Sequence, residues 1–252
     1  MRCVFLQVLV IINLAILFML LSFPALAGDF KIMPGKLFLD PQKKTAVFKI
    51  ISNDKERLAF QLNAVRWTQD EDGRDQYEPT KEIAFFPKIL TIEKGEERMI
   101  RVGCQSRELP DAEKTYRLFV RELPVSESGG ANLKMTMNIG VPVFVTPAHK
   151  TQKGVIEKAE ISGGELRVRV RNSGNSHFIV QKISVIGSDA AGDEVFTKNI
   201  NGWYVLPGVS KTFPVELSYK ECRQSRVAEI AVQTEDSEMK AKLALNETIC
   251  TQ

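Results

Sequence analysis

Past its first residues the chain sustains no 3.6-residue apolar repeat; short runs alternate apolar and polar side chains with a period of two, and turn residues cut them apart. Alternation of this kind sets one face of an extended strand against a core and the other in water, whereas a helix needs apolar residues at i, i+3 and i+4. The chain is therefore predicted to be all-β. In the first half strands are expected over 30–39, 44–52, 58–69, 83–92, 97–102, 115–122 and 132–145. In the second half they are expected over 155–162, 165–172, 177–188, 194–200, 210–217, 227–234 and 238–245. Asn53-Asp54, Asp70 to Gly73, Lys94-Gly95 and Ser162-Gly163-Gly164 supply turn chemistry between them.

Seven short strands per half fit an immunoglobulin-like β-sandwich, so two are predicted, over 28–146 and 155–252. The stretch 147–154 is polar, lacks alternation and reads as a linker. At the N-terminus Arg2 precedes an apolar run from Val4 to Leu21, followed by Ala25-Leu26-Ala27. The run approaches the length of a membrane span, but the small residues before Gly28 mark a cleavable signal peptide over 1–27. With 34 basic against 31 acidic side chains the charge is nearly balanced, and loss of Arg2 narrows the gap, so no nucleic-acid partner is implied. Export leaves Cys104, Cys222 and Cys250, an odd number. Cys222 and Cys250, both near the C-terminus, are expected to form a disulfide in an oxidising compartment, with Cys104 a lone, half-buried thiol.

The most informative stretch is 132–145, where Leu133, Met135, Met137, Ile139, Val141, Val143 and Val145 form an apolar row. As one strand it would extend roughly 40 Å or more at ~3.3 Å per residue, far beyond the usual ~5–6 residues. Either the whole row faces the domain's own core, or part of it outruns that core and is lent to another chain as an added strand. Two methionines favour the second use, since an unbranched side chain adapts to pockets of several shapes. An exposed strand of this kind is also an aggregation hazard, which points to self-association of the free protein.

Enzymatic chemistry finds little support. The two histidines, His149 in the linker and His177 at a strand start, are expected to face solvent, and no His-Glu-x-x-His, Gly-x-Ser-x-Gly or Cys-x-x-Cys motif is present. No catalytic residue, metal site or cofactor is assigned. Trp67, Trp203 and the phenylalanines read as core.

Separated motifs resemble one family. Phe86-Pro-Lys-Ile-Leu-Thr-Ile-Glu-Lys-Gly95 with Arg101-Val102, then Tyr116-Arg-Leu-Phe-Val-Arg-Glu-Leu-Pro124, then Val141-Pro-Val-Phe-Val145 with Pro147, look like the signatures of periplasmic pilus chaperones of the chaperone/usher pathway. The resemblance implies a boomerang of two immunoglobulin-like domains that works in the periplasm. It would bind pilus subunits by donor-strand complementation, then pass them to an outer-membrane usher. Carried over, the donor residues are Leu133, Met135, Met137, Ile139 and Val141. The family anchors the subunit's C-terminal carboxylate with two basic residues. Lys36 falls at the first-strand position, but Pro142 stands where the second is normally Lys. That departure is similar to the non-classical, archaic-like branch. Arg117, which alternates with apolar Tyr116, Leu118 and Val120, is the candidate partner or replacement for Lys36, because a guanidinium grips a carboxylate with two hydrogen bonds; the alternative is that Arg117 and Arg121 pair internally with Glu122. A chaperone for a non-pilus surface fibre or capsule, or a β-sandwich adhesion module, stays open on sequence.

Overall fold

The computed structural model describes residues 29–250 except 41, 55, 107–109 and 125–134. The first 28 residues, including the expected signal peptide, and Leu133 lie outside the described residues. Ten strands build the first sandwich: β1 Phe30–Met33, β2 Leu37–Leu39, β3 Thr45–Ser52, β4 Leu58–Gln69, β5 Asp75–Pro79, β6 Ile83–Phe86, β7 Ile89–Ile92, β8 Glu97–Cys104, β9 Lys114–Leu123 and β10 Asn138–Val145. They form one sheet in the order β1-β3-β8-β6 and a second in the order β2-β10-β9-β4-β5, with β7 also on β4. Alternate residues of the two inner faces, among them Phe48, Ile50, Phe60, Ile100, Tyr116, Leu118 and Val143, are buried in one core.

Two expected strands turn out to be four. The chain leaves the first sheet after Met33 and enters the second at Leu37, and it makes the same change between Phe86 and Ile89. Pro34 and Pro87 sit at these crossings, each after a cis peptide bond. Proline cannot donate to a ladder, so a strand that must change partners breaks there. Strand β5, with every residue outside the core, carries no alternation signal and was not expected.

The second sandwich contains β11 Gly154–Ser162, β12 Glu165–Asn172, β13 Phe178–Ser188, β14 Glu194–Asn201, β15 Tyr204–Val205, β16 Ser210–Glu216, β17 Val227–Thr234 and β18 Glu238–Ala244. One sheet runs β11-β12-β16, the other β14-β13-β17-β18 with β15 on β13. A short helix, Tyr219–Gln224, starts at a capping box in which Ser218 and Glu221 satisfy each other's backbone N–H. Cys222 on this helix is disulfide-bonded to Cys250, in the last helical turn Glu247–Cys250. Among the described residues no helix is long and apolar enough to cross a membrane.

A third, smaller cluster joins the sandwiches. Trp67 of β4 and Phe144 of β10 are fully buried against Leu206, with Tyr204 packed alongside. Gln69 fastens this joint twice, its amide donating to the Tyr204 carbonyl at 3.0 Å and its Oε1 accepting from Leu206 N at 3.0 Å. Trp203, expected in a core, is instead 43 % exposed at the edge of the joint, its Nε1 donating to Asp75 at 3.0 Å. Phe86 likewise is 76 % exposed; composition alone does not say which aromatic residues an outer face keeps.

Candidate functional site: the open edge of the last strand

On β10 the apolar row divides. Val141, Val143 and Val145 are at most 7 % exposed and lie in the first core, whereas Ile139 is 36 % and Met135 62 % exposed. Met137 is half-buried between them. Val141, which the resemblance placed among the donor residues, is buried in the protein's own core. The expected strand over 132–145 is also shorter: its regular part is Asn138–Val145, and Met135 forms only an isolated bridge. Among the described residues the buried core takes in Val141 but not Ile139.

Backbone pairing divides at nearly the same point. On one side β10 is antiparallel to β9 throughout, from Asn138↔Arg121 to Val145↔Lys114. On the other side β2 pairs in parallel with only Val143, Phe144 and Val145. Glu122 N donates to Met137 O at 2.8 Å, so the odd-numbered residues direct their backbone groups at β9; Thr146 N donates to Leu39 O at 2.9 Å, so the even-numbered ones point outward. Asn138, Gly140 and Pro142 thus face an edge on which no strand lies among the described residues. Proline is tolerated at this outward position, where its missing N–H leaves no gap in the β9 ladder. Glu122, 1 % exposed, fixes the start of the strand further, its Oε2 accepting from Met137 N at 3.2 Å.

The basic residues gather where the open edge stops. Leu37 pairs with Val143 and Arg117 with Pro142, so Lys36, Pro142 and Arg117 stand side by side on successive strands. Two strand spacings put Lys36 and Arg117 about 10 Å apart. The charge missing at Pro142 is therefore available one strand further on. Arg117 is 7 % exposed, with its guanidinium centre 3.9 Å above the Trp67 ring and 5.5 Å from that of Tyr204. Its Nη1 donates to Gly140 O at 3.0 Å, while Nε and Nη2 are buried without a protein acceptor. The alternative pairing with Glu122 is not adopted; that carboxylate keeps Oε1 buried and unpartnered. Lys36 is bound across the cleft to Glu235 at 3.0 Å.

One histidine departs from expectation. His149 is exposed, but His177 is 5 % exposed: its Nδ1 lies 2.6 Å from Glu113 Oε1 and its ring stacks 3.8 Å from that of Phe144. Glu113 precedes it by 64 positions and belongs to the other sandwich, so local pattern carries no trace of the pair. Cys104, at the end of β8, is free and half-buried. Below the joint, Glu82 accepts from Lys114 at 3.0 Å and from the Tyr116 hydroxyl at 2.9 Å. These bonds hold the Glu82 carboxyl below its ordinary pKa, while burial and then Glu82 itself push the Tyr116 hydroxyl up.

Comparison with known proteins agrees with this geometry. Residues 29–150 match the family model for pili and flagellar-assembly chaperones, PapD N-terminal domain. No curated protein sequence matches the chain. Among solved structures, the chain is similar to one in the CsuC–CsuE chaperone–tip adhesion subunit pre-assembly complex from archaic chaperone-usher Csu pili of Acinetobacter baumannii, with TM-score 0.58 and 19 % identity over 85 % of this chain and 97 % of that one. Similarity extends to the E. coli chaperone DraB, with TM-score 0.55 and 15 % identity over 88 % and 100 % of the two chains. It also includes the Salmonella enterica SafA pilin–SafB chaperone complex, with TM-score 0.56 and 14 % identity over 87 % and 99 %. At such identities the structures establish the fold, and the family model adds the lineage. Through residues 29–150 the chain belongs to the family of pilus-assembly chaperones.

Proposed function

We propose that the protein captures pilus subunits in the periplasm by donor-strand complementation and hands them to an outer-membrane usher. The observation that carries this reading is the edge of β10: among the described residues, 138–142 have a strand on one side only, and the apolar row beside them emerges from the core. A subunit lacking a strand gains backbone hydrogen bonds from Asn138 and Gly140 and side chains for its open groove from Met135, Met137 and Ile139. Leu133 continues the same row by sequence.

The slot along this edge is collinear with β2, and β2 begins just after Lys36. A subunit strand laid parallel to β10 fills the slot and ends against Lys36, so its C-terminal carboxylate meets that ammonium, with the guanidinium of Arg117 one strand beyond. Pro142 and the Arg117 arrangement fit the archaic-like branch. On the outer face of the other sheet, Met33, Val47, Phe86 and Met99 are exposed apolar residues, a surface suited to a second protein such as the usher.

The test is co-expression of a candidate pilin in the periplasm with the wild-type chaperone or with Met135→Glu/Met137→Glu, each checked for folding by circular dichroism. The wild type is expected to co-purify with soluble pilin and the folded variant to lose it. A folded variant that still retains the pilin contradicts the donor assignment.

A further inference from the structure

The ammonium proposed to receive the subunit's carboxylate already holds one. Lys36 Nζ is 3.0 Å from Glu235 Oε1, and the two side chains retain 38 % and 32 % of their exposure. Glu235 comes from the second sandwich, in the turn between β17 and β18. That turn is tightly built: Thr234 N donates to Ser237 O at 2.8 Å, and Ser237 N donates back to Thr234 Oγ1 at 3.0 Å. Its carboxylate is thus presented across the cleft by a shaped support. The pair borders an open cavity of about 290 Å³ between the sandwiches, lined also by Phe38, Lys150 and His177. A second carboxylate has room to approach Lys36 there without moving either sandwich.

We propose that Glu235 is a built-in competitor for the subunit's C-terminal carboxylate, occupying Lys36 in the empty chaperone and yielding it on capture. This rests on Lys36 acting as the anchor. Physical chemistry makes the contact a competitor and not a lock. A solvent-exposed ammonium–carboxylate pair is weak, so one carboxylate replaces another readily once the incoming one brings a strand's worth of hydrogen bonds. While Glu235 is in place it lowers the fraction of free anchor, and apparent affinity falls by that fraction. At the usual strength of such pairs the factor is about twofold to fivefold. Peptides that offer a carboxylate but no pairing strand gain too little to displace it, so the arrangement favours subunits over stray anions.

The experiment uses the full mature chaperone and a fluorescein-labelled peptide of a pilin C-terminal strand, made with a free carboxylate and as its C-terminal amide. Anisotropy titrations compare wild type, Glu235→Gln, Lys36→Met and the double variant, each with an unchanged circular dichroism spectrum. Glu235→Gln is expected to bind the carboxylate peptide about twofold to fivefold more tightly and the amide unchanged, and the gain is expected to vanish in the Lys36→Met background. Equal or weaker binding by Glu235→Gln, or a gain shared by the amide, overturns the proposal while leaving the anchor intact. If Lys36→Met binds the carboxylate peptide as well as wild type, or no variant binds it, the anchor reading fails and this inference with it.

Discussion

The two ends of β10 carry the same alternating apolar row yet meet different fates. From Val143 to Val145 the strand is bonded on both edges and its side chains are buried; from Asn138 to Pro142, among the described residues, a strand pairs with one edge, and the row beside it reaches the surface at Ile139 and Met135. What separates them is the length of one neighbour. β2 spans three residues, Leu37–Leu39, so it covers only the last part of β10. A longer β2 would have closed the sandwich and abolished the edge. The proposed function thus rests on a strand that its own fold, among the described residues, leaves half-partnered.

That contrast can be broken most severely at the buried end. Val143→Asp places an unpaired charge in the core and is expected to cost about 4 kcal/mol or more, enough to unfold the first sandwich. Ile139→Asp is expected to cost well under about 1 kcal/mol. Urea titrations of the two variants that gave equal midpoints would erase the distinction. A smaller effect, of about 3 kcal/mol, is expected from Cys222→Ser/Cys250→Ser, because the bond closes a loop of 28 residues. This loss belongs to the second sandwich and should leave the β10 edge as it is.

Glu122→Ala sharpens the comparison at the boundary itself. It leaves the Met137 N–H without its acceptor and is expected to cost about 1–2 kcal/mol, with faster amide exchange confined to the exposed end. Glu122→Gln keeps an acceptor oxygen and should largely restore protection.

The smallest expected effect is a pH dependence far from β10. Hydrogen bonding from Lys198 first, and then from Ser218, lowers the Glu221 carboxyl to about 2 from an ordinary 4.5. A depressed carboxylate stabilises the fold above its unfolded pKa, and the contribution is lost as pH falls from about 4.5 toward 2. Glu221→Gln should flatten that part of the stability–pH profile without changing subunit retention at neutral pH.

Strands whose alternation and turns agree were legible in the sequence. The expected spans 58–69, 165–172 and 227–234 coincide with β4, β12 and β17. The apolar row was legible too, but not where it leaves the core, since period-2 spacing is the same on either side of Val141. The division depends on β2, a segment about 100 positions away in the chain. The His177–Glu113 pair and the Glu235 contact with Lys36 were hidden for the same reason, since each joins the two sandwiches; the Trp67 platform under Arg117 lies within the first sandwich but joins strands 50 positions apart. The helix Tyr219–Gln224 did leave a signal, Ser218 followed three residues later by Glu221, which strand periodicity elsewhere obscured.

The central claim is that the outward amides of Asn138 and Gly140 stay unpaired until a subunit strand pairs with them, the Gly140 carbonyl being held meanwhile by Arg117. Residue-resolved amide hydrogen exchange on the empty chaperone and on its complex with a pilin tests this most directly. The account expects the Asn138 and Gly140 amides to exchange quickly in the empty protein and to become strongly protected in the complex, while Ile139 and Val141, bonded to β9, are protected in both. Asn138 and Gly140 amides already protected in the empty protein, or unchanged by the subunit, would contradict it.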